Sequence, residues 1–238
     1  MHDQYPISRS GVTEVCEDYD VNCRNWVISD RSLCDSIDYI SKTCRKSCRR
    51  CSHKIEERFD ASLVPDSLKP LAWLIGIWRS EHGGKAIFPT IPKFTYGEQV
   101  EISIANNHMS ALKALNYTAF AWSMNGFDEL HSEYGYITLQ PGTNYASLTT
   151  VMNNGFVTIE QGFVKGNQVV YRLHDIGRIS FSRDLPVHDV VIIISLSFQV
   201  VREWTLLSDS ILQARLEMET LTHGMQEHTF IRYNKIYP

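Results

Sequence analysis

The sequence predicts an all-β domain, sandwich or barrel, carried behind a small cysteine-stapled module. Three observations support this. Apolar and polar residues alternate in several separate runs, turn dipeptides punctuate those runs, and all 6 cysteines are crowded between Cys16 and Cys51. Alternation with period two sets one face of a strand on a core and the other in water. Cysteines confined to one short stretch mark a fold too small to bury an adequate core of its own.

The cysteine stretch reads C-x6-C-x10-C-x9-C-x3-C-x2-C. A zinc site would use pairs such as Cys48-x2-Cys51, but no second pair has that spacing and no well-placed histidines complete a ligand set. A disulfide framework fits the even count, although spacing alone does not choose among the pairings. Such frameworks persist in oxidising compartments, so a secreted or extracellular protein is expected. Met1 to Ser10 (MHDQYPISRS) has no apolar core of the kind a signal peptide needs. The expectation is therefore a coding start upstream of Met1.

The cysteine module is assigned to residues 16–51. The charged stretch 52–68, which carries Pro65 and precedes Pro70, reads as a linker. The long domain then covers 69–238. Trp73 and Trp78 are expected to pack at one end of it. Val100, Ile102 and Ile104 alternate with polar neighbours, and Val157 and Ile159 alternate with Thr158 and Glu160. Leu212, Ala214, Leu216 and Met218 interleave with Gln213, Arg215, Glu217 and Glu219. In each run the apolar set is expected on the core face. Asn125-Gly126, Pro141-Gly142, Asn154-Gly155, Gly166-Asn167 and His223-Gly224 supply the turn signals.

The bulk numbers exclude several function classes. With Lys and Arg numbering 23 against 27 acidic residues, the chain lacks the basic surface that nucleic acid requires. The longest apolar run, Val190 to Val201, falls short of the roughly 20 residues of a membrane-spanning helix. No G-x-S-x-G, H-E-x-x-H or P-loop occurs.

Two resemblances sharpen this reading. CEDYDVNCRNW, with the closing CRKSCRRC, resembles the ShKT domain of secreted animal proteins. The resemblance implies the disulfides Cys16–Cys51, Cys23–Cys44 and Cys34–Cys48, and an internal ion pair at Asp18 and Lys46. Toxin members block potassium channels with a Lys–Tyr pair between the third and fourth cysteines. Asp38–Tyr39 stands there in this chain, so the plugging cation is absent. What remains implied is a stability or adhesion module with an extracellular protein partner.

The segment LKPLAWLIGIWRSEHGGKAIFPTIPKFTYGEQV resembles the opening signature of the nitrobindins, matching it at Gly76, Trp78, Pro89, Thr90, Ile91, Phe94, Tyr96 and Glu98. ELHSEYGYI, with His131, Glu133 and Gly135, is similar to that family's His-x-Glu-x-Gly strand. LEMET followed by His228 is similar to its closing Met…His segment. The resemblance runs from about Leu71 to Ile236. It implies an antiparallel lipocalin- or calycin-like barrel of about ten strands with haem b at an open end. His228 would be the axial iron ligand, with Thr90, His131 and Met218 lining the haem.

The implied activity concerns nitric oxide and related nitrogen–oxygen ligands at ferric haem, with isomerisation of peroxynitrite to nitrate. Ser80 and His82 stand where the family has glycines, and Leu130 where plant members have methionine. Removing Ile192 to Val200 leaves HDVVVREW, close to the family's strand length; the segment is read as a retained intron. Two other classes remain open. One is a haem-free carrier of fatty acid or another apolar ligand. The other is an extracellular interaction protein that acts through its ShKT module.

Overall fold

The computed structural model describes residues 18, 20–50, 55–88, 91–106, 112–180, 200–220 and 223–238. The chain divides into two compact units, Met1–Lys54 and Ile55–Pro238.

The first unit holds three short helices: α1 (Cys23–Ser29), α2 (Leu33–Ser36) and α3 (Asp38–Thr43). Its buried cluster is Cys23, Cys34, Ile40, Cys44 and Cys48, with Trp26, Val27 and Leu33 packed against it. Sulfur therefore fills most of this core, as expected where too few apolar side chains are available. The disulfides are Cys23–Cys44 and Cys34–Cys48; Cys16–Cys51 lies outside the described residues. Asp18 accepts hydrogen bonds from the backbone N–H of Ser47 at 2.9 Å and from its hydroxyl. Asp38 pairs with Lys42 one helical turn on, and the Tyr39 hydroxyl donates to Asp20.

The second unit is a closed barrel of ten antiparallel strands, which decides between sandwich and barrel. The strands are β1 (Gly76–Phe88), β2 (Ile91–Ile104), β3 (Ala114–Ser123), β4 (Glu129–Leu139), β5 (Tyr145–Met152), β6 (Phe156–Lys165), β7 (Gln168–Arg178), β8 (Val200–Ser208), β9 (Ile211–Thr220) and β10 (His223–Tyr237). Each strand pairs with the next in sequence, and β10 closes on β1. Four of the turn dipeptides lie between consecutive strands from β3 to β7, whereas His223-Gly224 opens β10. Gly84 is required by close approach, because a Cβ there would meet the Tyr96 ring at 2.7 Å.

Residues 55–68 of the stretch expected as a linker pack into the barrel. Short 3-10 helices at Glu57–Phe59, Ala61–Leu63 and Asp66–Leu74 lead into β1. Phe59, Val64, Leu68, Leu71 and Leu74 are buried in the same cluster as Trp78, Ile102, Leu115, Ile137 and Leu148. The Trp78 indole N–H donates to the Leu74 carbonyl at 2.8 Å. Apolar residues at 68, 71 and 74 share one face at the three-residue turn of a 3-10 helix. That face closes the end of the barrel where β1 begins and β10 finishes.

Filling fades toward the other end. On β9, Leu212 and Ala214 are buried while Leu216 and Met218 are partly exposed. On β10, Ile231 and Tyr233 are buried while His228 and Thr229 are partly exposed. On β4, Ile137 and Glu133 are buried and His131 is partly exposed. At the end where β9 gives way to β10, water thus reaches His131, Leu216, Met218 and His228.

One strand reverses the expected polarity. On β6 the buried face carries Phe156, Thr158, Glu160 and Val164, while Val157 is 41% exposed and Phe163 58% exposed. The interior at this level is polar, and Glu160 faces inward to meet a charged partner. Most of Val190 to Val201 lies outside the described residues; Val200 and Val201 open β8, where Val200 pairs with Met218.

If Leu71 anchors the closed end, Leu71→Ala should lower unfolding stability by about 2–5 kcal/mol, the usual cost of an unfilled buried site. Urea denaturation should show a lower midpoint with the native circular dichroism retained in buffer.

Candidate functional site

Midway along the barrel a layer of polar side chains replaces the apolar core. Arg202 of β8 grips Glu160 of β6 through two bonds, Nε to Oε2 at 2.9 Å and Nη2 to Oε1 at 3.1 Å. The same Nη2 reaches Glu133 Oε1 at 3.3 Å. Glu133 also accepts from the Tyr117 hydroxyl at 2.9 Å and from His131 Nε2 at 3.1 Å. Thr158 donates to Glu160 at 3.1 Å and bonds Thr150 at 2.7 Å. A buried guanidinium tolerates loss of water only when its donors are matched by carboxylate acceptors. Burial alone would push Glu133 up; the Arg202 charge and the hydrogen bond from His131 outweigh it and hold the carboxyl at about 2. An ionised carboxylate only accepts, so the proton of the His131 ring sits on Nε2.

The open end begins just above this layer. Glu98 faces inward from β2, and its Oε2 lies 2.7 Å from the Tyr233 hydroxyl. Burial raises this carboxyl to about 7, against the hydrogen bond from Tyr233. Leu216 and Met218 add apolar surface on β9.

His228 owes its position to an irregularity in β10. Glu227 faces Glu217 and Thr229 faces Leu216, so His228 is the extra residue of a β-bulge. Counting by twos from the buried Tyr233 and Ile231 puts Thr229 on the inner face and would turn His228 outward. A bulge re-aims one side chain, and here it brings the imidazole inward. The ring is half-buried, and its pKa is lowered first by burial and further by the nearby His131, against the backbone hydrogen bond. Nδ1 lies 3.0 Å from the Ile87 carbonyl of β1. A carbonyl only accepts, so Nδ1 carries the proton and Nε2 of the neutral ring carries the lone pair.

Of the residues named from sequence, His131, Met218 and His228 gather at the open end, while Thr90 lies outside the described residues. Arg202, Glu160, Tyr117 and Tyr233 were not singled out. Arg202 and Trp204 alternate in β8, and that parity was the available signal. Among the described residues, no group of three or more His, Cys, Asp or Glu forms a metal cluster, and no helix is long and apolar enough to cross a membrane. Among the described residues, His228 at this end offers a ring nitrogen beside the apolar Leu216 and Met218, a set that suits a flat metallocycle.

The charged layer generates a test. Arg202→Met leaves two carboxylates buried without a cation and should cost roughly 3–5 kcal/mol. The depressed Glu133 contributes stability above its unfolded value near 4.5, and this is lost as pH falls toward about 2. Denaturation midpoints of the wild type should fall across that acid window, and those of Arg202→Met should lose that fall.

Comparison with known proteins accords with this geometry. A family model described as a THAP4-like, heme-binding beta-barrel domain matches residues 67–235, and a ShK domain-like model matches residues 15–51. An uncharacterized protein of Caenorhabditis elegans, C28H8.5, is 48% identical over 94% of this chain and 74% of its own length. Peroxynitrite isomerase THAP4 of Rattus norvegicus is 33% identical over 72% of this chain, which spans only 27% of that longer protein. Peroxynitrite isomerase Rv2717c of Arabidopsis thaliana is 26% identical over 67% of this chain and 82% of its own. The crystal structure of Rv2717c from M. tuberculosis shares the fold, with a TM-score of 0.57 and 21% identity over 72% of this chain and 98% of that one. The chain thus belongs to the THAP4-like, heme-binding β-barrel family, with a ShK-like module ahead of the barrel.

Proposed function

We propose that the barrel binds haem b through Nε2 of His228 and acts on nitrogen–oxygen ligands, with isomerisation of peroxynitrite to nitrate as the activity. The observation that carries this reading is the fixed imidazole. The bulge at His228 turns the ring inward, and the Ile87 carbonyl holds the proton on Nδ1, so the nitrogen with the lone pair is Nε2. A second hydrogen bond of this kind orients a ligating histidine and raises its basicity. The rat and Arabidopsis relatives, both named peroxynitrite isomerases, support the choice of substrate.

When bound, ferric haem would supply a Lewis acid toward nitrogen–oxygen anions. The chain's own residues do the rest. Leu216 and Met218 would offer apolar cover and limit water at the macrocycle. His131 is held by Glu133 in one tautomer and so cannot turn freely. Thr90 would shape the distal face. Nitrate and peroxynitrite are isomers with the same proton count, so the reaction requires no net proton transfer from these side chains. The paired cysteines of the first unit support an oxidising, extracellular setting in which the ShK-like module engages a protein partner.

Titration of the purified full chain with haem should produce a Soret band, and His228→Ala should abolish it while leaving the thermal unfolding midpoint within a few degrees of wild type. The haem-loaded wild type should accelerate peroxynitrite decay to nitrate, and the variant should not. A wild-type chain with no Soret band that instead displaces a fluorescent fatty acid would replace this reading with that of an apolar carrier.

A further inference from the structure

We propose that Glu98 makes anion binding at the barrel mouth proton-coupled: its carboxyl keeps a proton while an anion occupies the mouth, so the pocket takes up anion and proton together. The inference rests on the haem reading above and adds to it a residue to which that reading gives no role.

The placement of Glu98 comes from the register. On β2 it lies between Tyr96 and Val100, both buried inward residues. Ala121 of β3 stands opposite it, and Ala121 in turn stands opposite His131 of β4. Only a methyl group separates the two longer side chains across the ladder, so Glu98 and His131 share the space above it. Tyr233 of β10 approaches from the other side and bonds the carboxyl.

The charges around Glu98 favour the neutral acid. The groups that face it or act on it are Tyr96, Tyr117, His131, Glu133, Arg202 and Tyr233. Arg202 is the permanent cation of this set, and it is already matched by Glu160 and Glu133. The three tyrosines are phenols, and His131 already donates to Glu133. An ionised Glu98 would therefore add a second uncompensated negative charge to an interior that already carries two carboxylates against one guanidinium. Burial accordingly lifts the carboxyl to about 7, where an added anion decides its state.

Glu98 is also open to exchange. Protein surrounds it, yet the residue remains partly solvent-accessible, so a proton can arrive from solvent. An anion bound nearby repels an ionised Glu98 and strengthens its hold on the proton. By reciprocity, a protonated Glu98 strengthens the hold on the anion. The proton comes from solvent and rests on the carboxyl, and no electrons move.

The test uses the full chain loaded with ferric haem and azide as the anionic probe, titrated by absorbance between about pH 6 and about pH 9. The apparent Kd of the wild type should rise as pH passes through neutrality, by up to about tenfold per pH unit. Glu98→Gln should flatten that rise, while any slope arising from other groups persists in both proteins. Tyr233→Phe removes a bond that lowers the carboxyl and should move the onset of weakening to higher pH. Infrared titration of haem-free protein should show a protonated carboxyl band that fades near neutral pH and is missing from Glu98→Gln.

An unchanged azide slope in Glu98→Gln with its Soret band intact would overturn the inference. So would the absence of any such carboxyl band in the wild type. A wild type without a Soret band would instead remove the haem reading itself and this inference with it, and the infrared titration would still report the state of Glu98.

Discussion

A closed sheet of eight strands is about as wide as its own side chains can fill, and each added strand widens it. Ten strands therefore leave an interior that the barrel's own residues cannot pack from end to end. In this chain the 3-10 segment before β1 inserts Leu68, Leu71 and Leu74 into one end. No comparable plug occurs among the described residues at the other end, where Leu216, Met218, His131 and His228 stay partly wet. That partial exposure follows from strand number and from where the plug sits.

The Arg202–Glu160–Glu133 layer marks the boundary between the two halves. Its worth to stability is limited, since burying three charges costs much of what their attraction returns. Its effect on geometry is larger. Glu133 fixes the His131 tautomer, and together with Glu160 it occupies the one guanidinium, which leaves Glu98 to stay neutral or carry an unmatched charge. Directionality in this interior thus comes from hydrogen bonds, whereas the plugged half is held by apolar contact.

How much of this was legible in the sequence varied with the physics involved. The β9 alternation of Leu212, Ala214, Leu216 and Met218 reads correctly because β9 places no polar side chain on its inner face, even where Leu216 stands opposite Arg202 of the charged layer. The β6 alternation misleads, because the rule equates inward with apolar, and at Glu160 the interior is a salt bridge. Parity would have misplaced His228 as well. The bulge between Glu227 and Thr229 leaves no compositional mark, and resemblance to a known family, not periodicity, singled that histidine out. The same holds for the 52–68 stretch: its charges and prolines suggest a tether, while Phe59, Val64 and Leu68 at irregular spacing show no period of helix or strand.

Haem binding at this site depends on the orientation and tautomer of one imidazole, which nitrogen-15 NMR of the haem-free chain reads directly. The His228 ring should show a protonated Nδ1 and an unprotonated Nε2, and ferric haem should broaden or shift its signals beyond those of the exposed histidines. A ring protonated on Nε2, or one whose signals stay unmoved when haem is added, would contradict it.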